Sequence, residues 1–246
     1  MIFFCFSSKD RHSIVEAILF HIMNYKLPVW YDRQEMLLGD DRNLMNFEEG
    51  VNKADYSIII LSQNAIASVC ANEETELIYN RYKSGKITVF PLFYNLTANE
   101  IPEAFAWMKN LVYKELKDTI DVHSACNHIV CRVLLDELNK YKYRSFKIFY
   151  ETYEHVPLHA FTIEILDKYN LIDRENYNAR ISLLYAIYLF IKSTYSLSGI
   201  PEYYYAGIDR LFNETKLNLK IDLREIIIFE RLILLLLNAI LLGYIS

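Results

Sequence analysis

The sequence predicts an α/β fold over residues 1–143 and an all-helical region over residues 144–246. In the first region, short apolar runs rich in β-branched and aromatic residues alternate with amphipathic stretches. This is the pattern of strands and helices that follow one another along the chain. Such alternation favours a parallel sheet with helices on both faces. After residue 143 the strand signal ends, and the apolar stretches reach helical length.

Five segments carry the strand signal. Two of them, Tyr56–Leu61 and Thr88–Tyr94, are almost continuously apolar, which indicates burial on both faces of the sheet. The other three are shorter and contain the aromatic and β-branched residues typical of strands. In chain order, the predicted strands are Ile2–Phe6, Pro28–Tyr31, Tyr56–Leu61, Thr88–Tyr94 and Asn110–Tyr113.

Helices are predicted between and after these strands. From Asp10 to Lys26 the apolar residues recur at helical spacing, and three later stretches show the same pattern. Two longer apolar stretches follow in the second region, with a break predicted at Ser196–Glu202. These five later predicted helices are Asn43–Lys53, Ser68–Lys83, Val122–Tyr141, Tyr177–Tyr195 and Arg224–Leu242.

The apolar run Leu232–Ile245 raises the question of a membrane. It is 14 residues long and is interrupted only by Asn238, whereas a spanning helix needs about 17 to 25 residues. We therefore expect a buried or self-associating helix that supports a homo-oligomer. A membrane segment is the alternative, because the preceding Glu230 and Arg231 would cost less free energy at a membrane interface.

Composition limits the partners and the compartment. The net charge is −5 and the 26 Lys and Arg residues are scattered, whereas nucleic-acid binders normally carry a basic patch. Nucleic acid is therefore not an expected partner. The four cysteines are too few for a disulfide framework at this length, and the N-terminus lacks signal-peptide features. We expect a cytoplasmic protein.

Common catalytic and metal-binding motifs are missing from the sequence. The six glycines form neither a dinucleotide-binding fingerprint nor a phosphate-binding loop. His123, Cys126, His128 and Cys131 lie close together in the sequence, but on a helix they point in different directions and cannot close around one ion. We therefore expect no metal site, and we look instead to the ends of the strands, where parallel sheets bind ligands.

The stretch Ser68–Leu77, SVCANEETEL, contains adjacent carboxylates close to an apolar helix flank. Helical periodicity places Glu73 beside Val69 and Leu77, and it places Glu74 beside Cys70 and Ile78. It does not choose between the two glutamates. A simpler interpretation is that both lie near a helix N-terminus, where negative charge is favoured by about 0.3–1 kcal/mol.

Four segments at the predicted strand ends resemble motifs of the TIR (Toll/interleukin-1 receptor) domain family. FFCFSSKD is similar to the opening box F-I-S-Y-S-x-x-D, and VWYDRQEMLLGDD is similar to the BB loop. ADYSIIILSQNAIAS is similar to the third strand and its following loop, and SVCANEETEL is similar to S-x-W-C-x-x-E-L. The four occur in the family's order. They are Phe3–Asp10, Val29–Asp41, Ala54–Ser68 and Ser68–Leu77.

The resemblance implies a flavodoxin-like, five-stranded parallel sheet and an enzyme that cleaves NAD⁺. In TIR enzymes the glutamate of the last motif is catalytic, and the C-x-x-E offset from Cys70 assigns that role to Glu73. Two positions depart from the family. Many active members have Trp four residues before the glutamate, where this chain has Val69, and Leu38 replaces a Pro that often precedes the BB-loop glycine.

The resemblance also implies the substrate-binding residues. Phe6, Ser7 and Ser8 would lie against the nucleotide, and Asp32 near the ribose. The same pocket would include the strand residue Trp30 and the helix residues Val69 and Cys70. NAD⁺ would be the substrate, with no cofactor.

The resemblance implies two functions of different kinds. The first is an NAD⁺ nucleosidase that releases nicotinamide and either ADP-ribose or a cyclic ADP-ribose-type signal. It would act in bacterial antiphage immunity through an effector that senses the product. The alternative is a non-catalytic TIR scaffold that recruits other TIR domains. TIR enzymes generally share sites between subunits, so a homo-oligomer is expected through the TIR region and the C-terminal helices.

Overall fold

A computed structural model of the chain describes residues 1–117, 120–140, 160–195, 199–217 and 223–242. The chain divides into two compact units, Met1–Ile129 and Val130–Ser246. The division falls inside a long helix. The boundary predicted at residue 143 lies outside the described residues.

The first unit contains a five-stranded sheet with the order β2-β1-β3-β4-β5, in which all neighbouring strands are parallel. This order is the flavodoxin-like one, so the predicted fold class is confirmed. The central pair is in register from Ile2 opposite Tyr56 to Cys5 opposite Ile59. The strands are β1 Ile2–Cys5, β2 Val29–Trp30, β3 Tyr56–Leu61, β4 Thr88–Tyr94 and β5 Lys114–Leu116.

The fifth strand was predicted too early, at Asn110–Tyr113. The structure pairs Lys114 with Leu92 and begins β5 there. The apolar residues before it have other roles, since Tyr113 stacks on Phe93 with ring centroids 4.7 Å apart and Val112 is 93% exposed. Tyr113 packs against β4 without strand pairing and Val112 is open to solvent, so the apolar pattern at Asn110–Tyr113 does not mark a strand.

The longer helices of the first unit lie at the predicted positions, whereas two single-turn helices, Asp32–Glu35 and Gln63–Ile66, were not predicted. Serine side chains cap two of them: Ser62 accepts from the amide of Ala65, and Ser68 accepts from the amide of Ala71, which satisfies amides that have no partner within the helix. The helices are α1 Glu16–Met23, α2 Asp32–Glu35, α3 Gln63–Ile66, α4 Val69–Lys83 and α5 Ile120–Asn139, with π-helical segments at Arg11–Val15 and Leu44–Val51 and 3₁₀ segments at Ala98–Glu100 and Glu103–Asn110.

Both faces of the sheet are buried. Phe3 and Cys5 of β1 belong to one core together with Ala71 and Ile78 of α4. Side chains alternate between faces along a strand, so Phe4 points to the other face, and it is only 2% exposed. The central strand β3 is buried at every residue, which is why its sequence is continuously apolar.

Within its described residues, the second unit contains helices and no strands, as predicted. One polar cluster links three of them: Arg180 of α7 pairs with Glu230 of α9, and Tyr169 of α6 donates a hydrogen bond to Glu230. Arg180 Nη2 also donates to Tyr169 at 2.9 Å. The helices are α6 Ala160–Leu171, α7 Tyr177–Thr194, α8 Glu202–Leu217 and α9 Leu223–Leu242.

The apolar run in α9 is packed rather than exposed. Leu232–Leu237 are all buried, with exposures of 4% or less, which confirms the expectation of a buried helix for that part of the run. No helix among the described residues is both long and apolar enough to cross a membrane.

Candidate functional site

The loops that follow β1 and β3 are joined at the carboxyl end of the sheet. The carboxylate of Asp10 is 2% exposed and accepts hydrogen bonds from two residues of the other loop. Ser62 Oγ donates to Oδ2, and Asn64 Nδ2 donates to Oδ1 at 2.6 Å. Because these contacts link the ends of adjacent strands, they hold this edge of the sheet in a defined shape.

Arg11 joins the loop after β1 to the end of β2. Its guanidinium forms a two-pronged ion pair with Asp32, with Nη1 to Oδ1 at 2.8 Å and Nη2 to Oδ2 at 2.5 Å. Nη1 also donates to the Tyr31 hydroxyl at 2.6 Å. The guanidinium carbon lies 5.0 Å from the ring centre of Phe6 and 5.2 Å from that of Tyr31. The hydrogen bonds to Asp32 raise the pKa of Arg11, so the arginine stays charged.

Glu74 of α4 is a second buried carboxylate of this region, with 5% exposure. Asn46 Nδ2 donates to its Oε1 at 2.9 Å, and the Cys70 thiol donates to the same oxygen at 3.3 Å. Burial raises the pKa of Glu74 from 4.5 to about 7, and the thiols of Cys70 and Cys5 oppose that increase. A carboxylate with such a pKa is a candidate functional group.

Glu73, the residue selected by the C-x-x-E offset, lies differently. Its side chain is exposed, so the expectation that it lies against the apolar side of α4 is wrong. Adjacent helical residues are about 100° apart, and the flank with Cys70 and Ile78 is the one that faces the sheet. Val69, the expected pocket wall beside Glu73, is 72% exposed.

The other predicted binding residues fall into two groups. Phe6, Asp32 and Cys70 lie on the strand-end surface, where Phe6 and Cys70 are partly buried and the Asp32 carboxylate pairs with Arg11. Ser8 is exposed beside them. Trp30 and Ser7, in contrast, are 4% exposed each, and Trp30 stacks on Phe3 with ring centroids 5.1 Å apart. Trp30 is thus part of the core.

Four residues of the site were not selected from the sequence. Asp10 is the last residue of the opening box and Arg11 directly follows it, so their position near a strand end was the available signal. Asn46 gave none, because a single amide between Met45 and Phe47 in a predicted helix matches no motif. Glu74 had a signal in the motif S-x-W-C-x-x-E-L. Aligning the motif on Cys70 selects Glu73, whereas aligning it on Ser68 places its glutamate on Glu74 and its Trp on Cys70.

The loop between α2 and the π-helical segment Leu44–Val51 forms a tight turn at its tip. Leu37 donates its amide to Asp40 Oδ2 at 2.7 Å, and the amide of Asp40 donates to the carbonyl of Leu37 at 3.1 Å. Gly39 has a φ of 105°, which a residue with a side chain rarely adopts. The turn presents Leu37 at 77% exposure and Leu38 at 107%.

Comparison with known proteins places most of the first unit in a family. A family model described as TIR domain matches residues 2–130. Over 101 residues the chain is 29% identical to NAD(+) hydrolase TcpC of Escherichia coli, covering 40% of this chain and 32% of that protein.

Two further relatives match the same region. NAD(+) hydrolase TcpA of a Theionarchaea archaeon is 23% identical over 120 residues, which cover 49% of this chain and 36% of the relative. The 2′ cyclic ADP-D-ribose synthase BtTIR of Bacteroides thetaiotaomicron is 25% identical over 99 residues, covering 40% and 34%. The chain therefore spans about a third of the length of each of these relatives.

Proposed function

Because the chain belongs to the TIR domain family, we propose that it is an NAD⁺ nucleosidase that cleaves the bond between nicotinamide and ribose. The products are nicotinamide and ADP-ribose or a cyclic ADP-ribose-type signal. The observation that carries the proposal is the buried carboxylate of Glu74 at the strand-end surface. The printed names of three relatives, two NAD(+) hydrolases and a cyclic ADP-ribose synthase, support the substrate.

We assign the catalytic role to Glu74 in place of Glu73. Cleavage of an N-glycosidic bond passes through an oxocarbenium-like state, as in glycoside hydrolysis. Nicotinamide leaves a pyridinium as a neutral molecule, so no general acid has to protonate it. The ionised carboxylate of Glu74 stabilises the positive charge that develops on the ribose, and partial burial strengthens this attraction because the local dielectric constant is low.

The residues around Glu74 have supporting roles in this proposal. Phe6 and Ser8 contact the nucleotide from the loop after β1, and Cys70 borders the ribose. Arg11 binds both carboxylate oxygens of Asp32, which fixes the position of this side chain. Asp32 therefore acts on the ribose by shaping the pocket, together with the Phe6 ring that the same arginine contacts. The proposal requires NAD⁺ as substrate and no cofactor.

We propose a homo-oligomer that uses the TIR region and the C-terminal helices. The exposed Leu37–Leu38 turn supports a contact in the TIR region, because a rigid apolar tip gains free energy when a second copy covers it. The small number of cysteines, four in 246 residues, supports a reducing compartment, and we place the protein in the cytoplasm. Its role would be antiphage immunity through an effector that senses the product.

The same turn also favours the second candidate, a non-catalytic scaffold that recruits other TIR domains. Such a protein needs an exposed contact surface and no ionised carboxylate. Glu74 distinguishes the two functions, because a scaffold gains nothing from a buried carboxyl group whose ionisation opposes folding.

Incubation of the purified full chain with NAD⁺ tests the proposal. We expect nicotinamide release with ADP-ribose or a cyclised isomer, identified by mass spectrometry. The assay is run over a range of protein concentrations, so that an enzyme active only as an oligomer is detected. Intact NAD⁺ at every concentration, with the protein folded, would favour the scaffold.

A further inference from the structure

Asn46 reaches the carboxylate of Glu74 from a separate element. It lies in the π-helical segment Leu44–Val51 and is 6% exposed. Its Nδ2 donates to Glu74 Oε1 at 2.9 Å, while the Cys70 thiol donates to the same oxygen at 3.3 Å from one turn earlier in α4. Two donors from different directions therefore converge on one oxygen and restrict rotation of the carboxylate.

The other side of the Asn46 amide is unused. Its carbonyl oxygen Oδ1 is buried and has no hydrogen-bond partner among the residues that the structure describes. A buried acceptor without a donor is unfavourable. An amide carries donors on one side and an acceptor on the other, whereas a carboxyl group accepts when ionised and donates when protonated. A half-turn of the amide would thus let Oδ1 accept from protonated Glu74.

We propose that Asn46 is the positioning residue of Glu74 and that the Cys70 thiol assists it. The Asn46 amide holds the ionised carboxylate in one orientation, and after a half-turn it accepts a hydrogen bond from the neutral acid. The hydrogen bond to the ionised carboxylate is the stronger of the two, so the amide favours the ionised form. The catalytic consequence rests on the proposed function, but the hydrogen-bonding arrangement does not.

Other groups near Glu74 also change its pKa. Burial is the largest influence on its pKa, which it raises to about 7, and the charge of Asp32 also raises it. The thiols of Cys70 and Cys5 and the charge of Arg42 lower it. The pKa of Cys70 is itself raised to about 11, mainly by burial, so this thiol keeps its proton and remains a donor at neutral pH.

The first test measures the ionisation of Glu74 directly. Carbon-13 NMR of the glutamate carboxyl groups is recorded against pH in the full chain, and the signal lost in Glu74→Gln identifies Glu74. Asn46→Leu keeps a similar volume but removes the donor, so the pKa of Glu74 should rise by about one unit. A pKa within about 0.2 units of the unsubstituted protein would overturn the proposal.

A matched control separates positioning from loss of structure. Asn72 is a partly buried amide on α4 itself, but its Nδ2 donates to the carbonyl of Ile66 at 3.1 Å. Asn72→Leu removes a comparable hydrogen bond without touching the carboxylate, so the pKa of Glu74 should not move. An equal increase in both variants would show a general loosening of α4 and would contradict the role of Asn46.

Cys70 supplies a second variant pair in case Asn46→Leu does not fold. Cys70→Ala removes the thiol donor and should raise the pKa of Glu74, whereas Cys70→Ser keeps a donor and should not. The pair also controls for side-chain volume. If the pKa of Glu74 were the same in these two variants, Cys70 would not assist Asn46, and the proposal that two donors together hold the carboxylate would be overturned.

The second test follows turnover. In Asn46→Leu the acidic limb of the pH profile of kcat/KM should move to higher pH by about one unit. Below the limb kcat/KM should fall about tenfold, and at high pH it should recover to the value of the unsubstituted protein. KM should stay the same, because substrate binding is unchanged. A uniform loss at all pH values would overturn the proposal. If the unsubstituted protein releases no nicotinamide, the proposed function fails and the NMR titration alone decides this inference.

Discussion

At the residue scale, two adjacent glutamates have opposite surroundings. Glu74 is buried and accepts hydrogen bonds from Asn46 and Cys70, while Glu73 is exposed. Periodicity alone could not distinguish them, since each has apolar neighbours one turn away. The distinction depends on which helix flank meets the sheet: Ile78 is fully buried, whereas Val69 is 72% exposed. That information is tertiary, and in the sequence only the alignment of the motif on Ser68 points to Glu74.

The buried carboxylate predicts a stability change with pH. Burial raises the pKa of Glu74 to about 7, so the folded state binds the proton more tightly than the unfolded state does. Folding stability is therefore lost as the pH rises from about 4.5 to about 7, and the loss is complete above that range. Glu74→Gln avoids this cost, and it should stabilise the first unit at pH 8 by up to about 3 kcal/mol but have little effect at pH 4.

Urea unfolding followed by tryptophan fluorescence measures this change, because both tryptophans, Trp30 and Trp107, belong to the first unit. Glu73→Gln is the control. Because the Glu73 side chain is exposed, this substitution removes no buried charge and should not change the urea midpoint. Equal urea midpoints for the unsubstituted protein and Glu74→Gln at pH 8 would contradict the assigned environment of Glu74.

At the element scale, the segment Leu44–Val51 is the least predictable part of the site. Its sequence predicted a helix over Asn43–Lys53, and the structure forms a π-helical segment there. Hydrophobic periodicity does not resolve this wider turn from an α-helix. Strands β3 and β4, in contrast, were predicted with their observed bounds, because their apolar runs match the burial of a central parallel strand. The edge strand β5 was misplaced because it is short and polar.

Gly50 provides a test of how this segment packs. A Cβ added there would lie 2.6 Å from Phe3 Cε2 and 3.3 Å from Trp30 Cδ2, and both rings are buried. Gly50→Ala should therefore destabilise the first unit by about 1–3 kcal/mol, despite the better helix propensity of alanine. The readout is again the urea midpoint by tryptophan fluorescence.

The matched substitution is Gly207→Ala in α8. Its Cβ would lie 3.3 Å and 3.4 Å from the terminal methyl groups of Leu134 and Leu232, which can shift slightly. Circular dichroism should show an unchanged or slightly higher thermal midpoint for this variant, because alanine improves helix propensity by up to about 1 kcal/mol. A Gly50→Ala protein as stable as the unsubstituted one would show that the segment does not press on the β1 side chains.

At the scale of the whole molecule, the sequence distinguished a sheet-containing unit from a helical one. It could do so because the short apolar runs of strands and the longer apolar stretches of helices differ in period and length. The burial of Leu232–Leu237 within α9 follows from the same reasoning, since exposed apolar area costs about 25 cal/mol per Å². Residues near the predicted boundary lie outside the described part of the chain, and the division inside α5 had no sequence signal.

The proposed oligomer predicts a difference between the full chain and residues 1–143, which retain all of α5. If the C-terminal helices support assembly, the fragment should form a smaller oligomer than the full chain. If assembly in turn supports catalysis, the fragment should cleave NAD⁺ at least about tenfold more slowly. Light scattering and a nicotinamide assay measure both properties. A folded fragment with the oligomeric state and activity of the full chain would show that the helical unit has another role.

The most direct test of the account is the matched pair Glu74→Gln and Glu73→Gln, assayed for nicotinamide release with both proteins shown to be folded. Because Glu74 stabilises the charge that develops on the ribose, Glu74→Gln should lower kcat by about 10²–10³-fold. Glu73→Gln should retain most of the activity, since its side chain is exposed. A large loss in Glu73→Gln with Glu74→Gln still active would contradict the assignment and restore Glu73 as the catalytic residue.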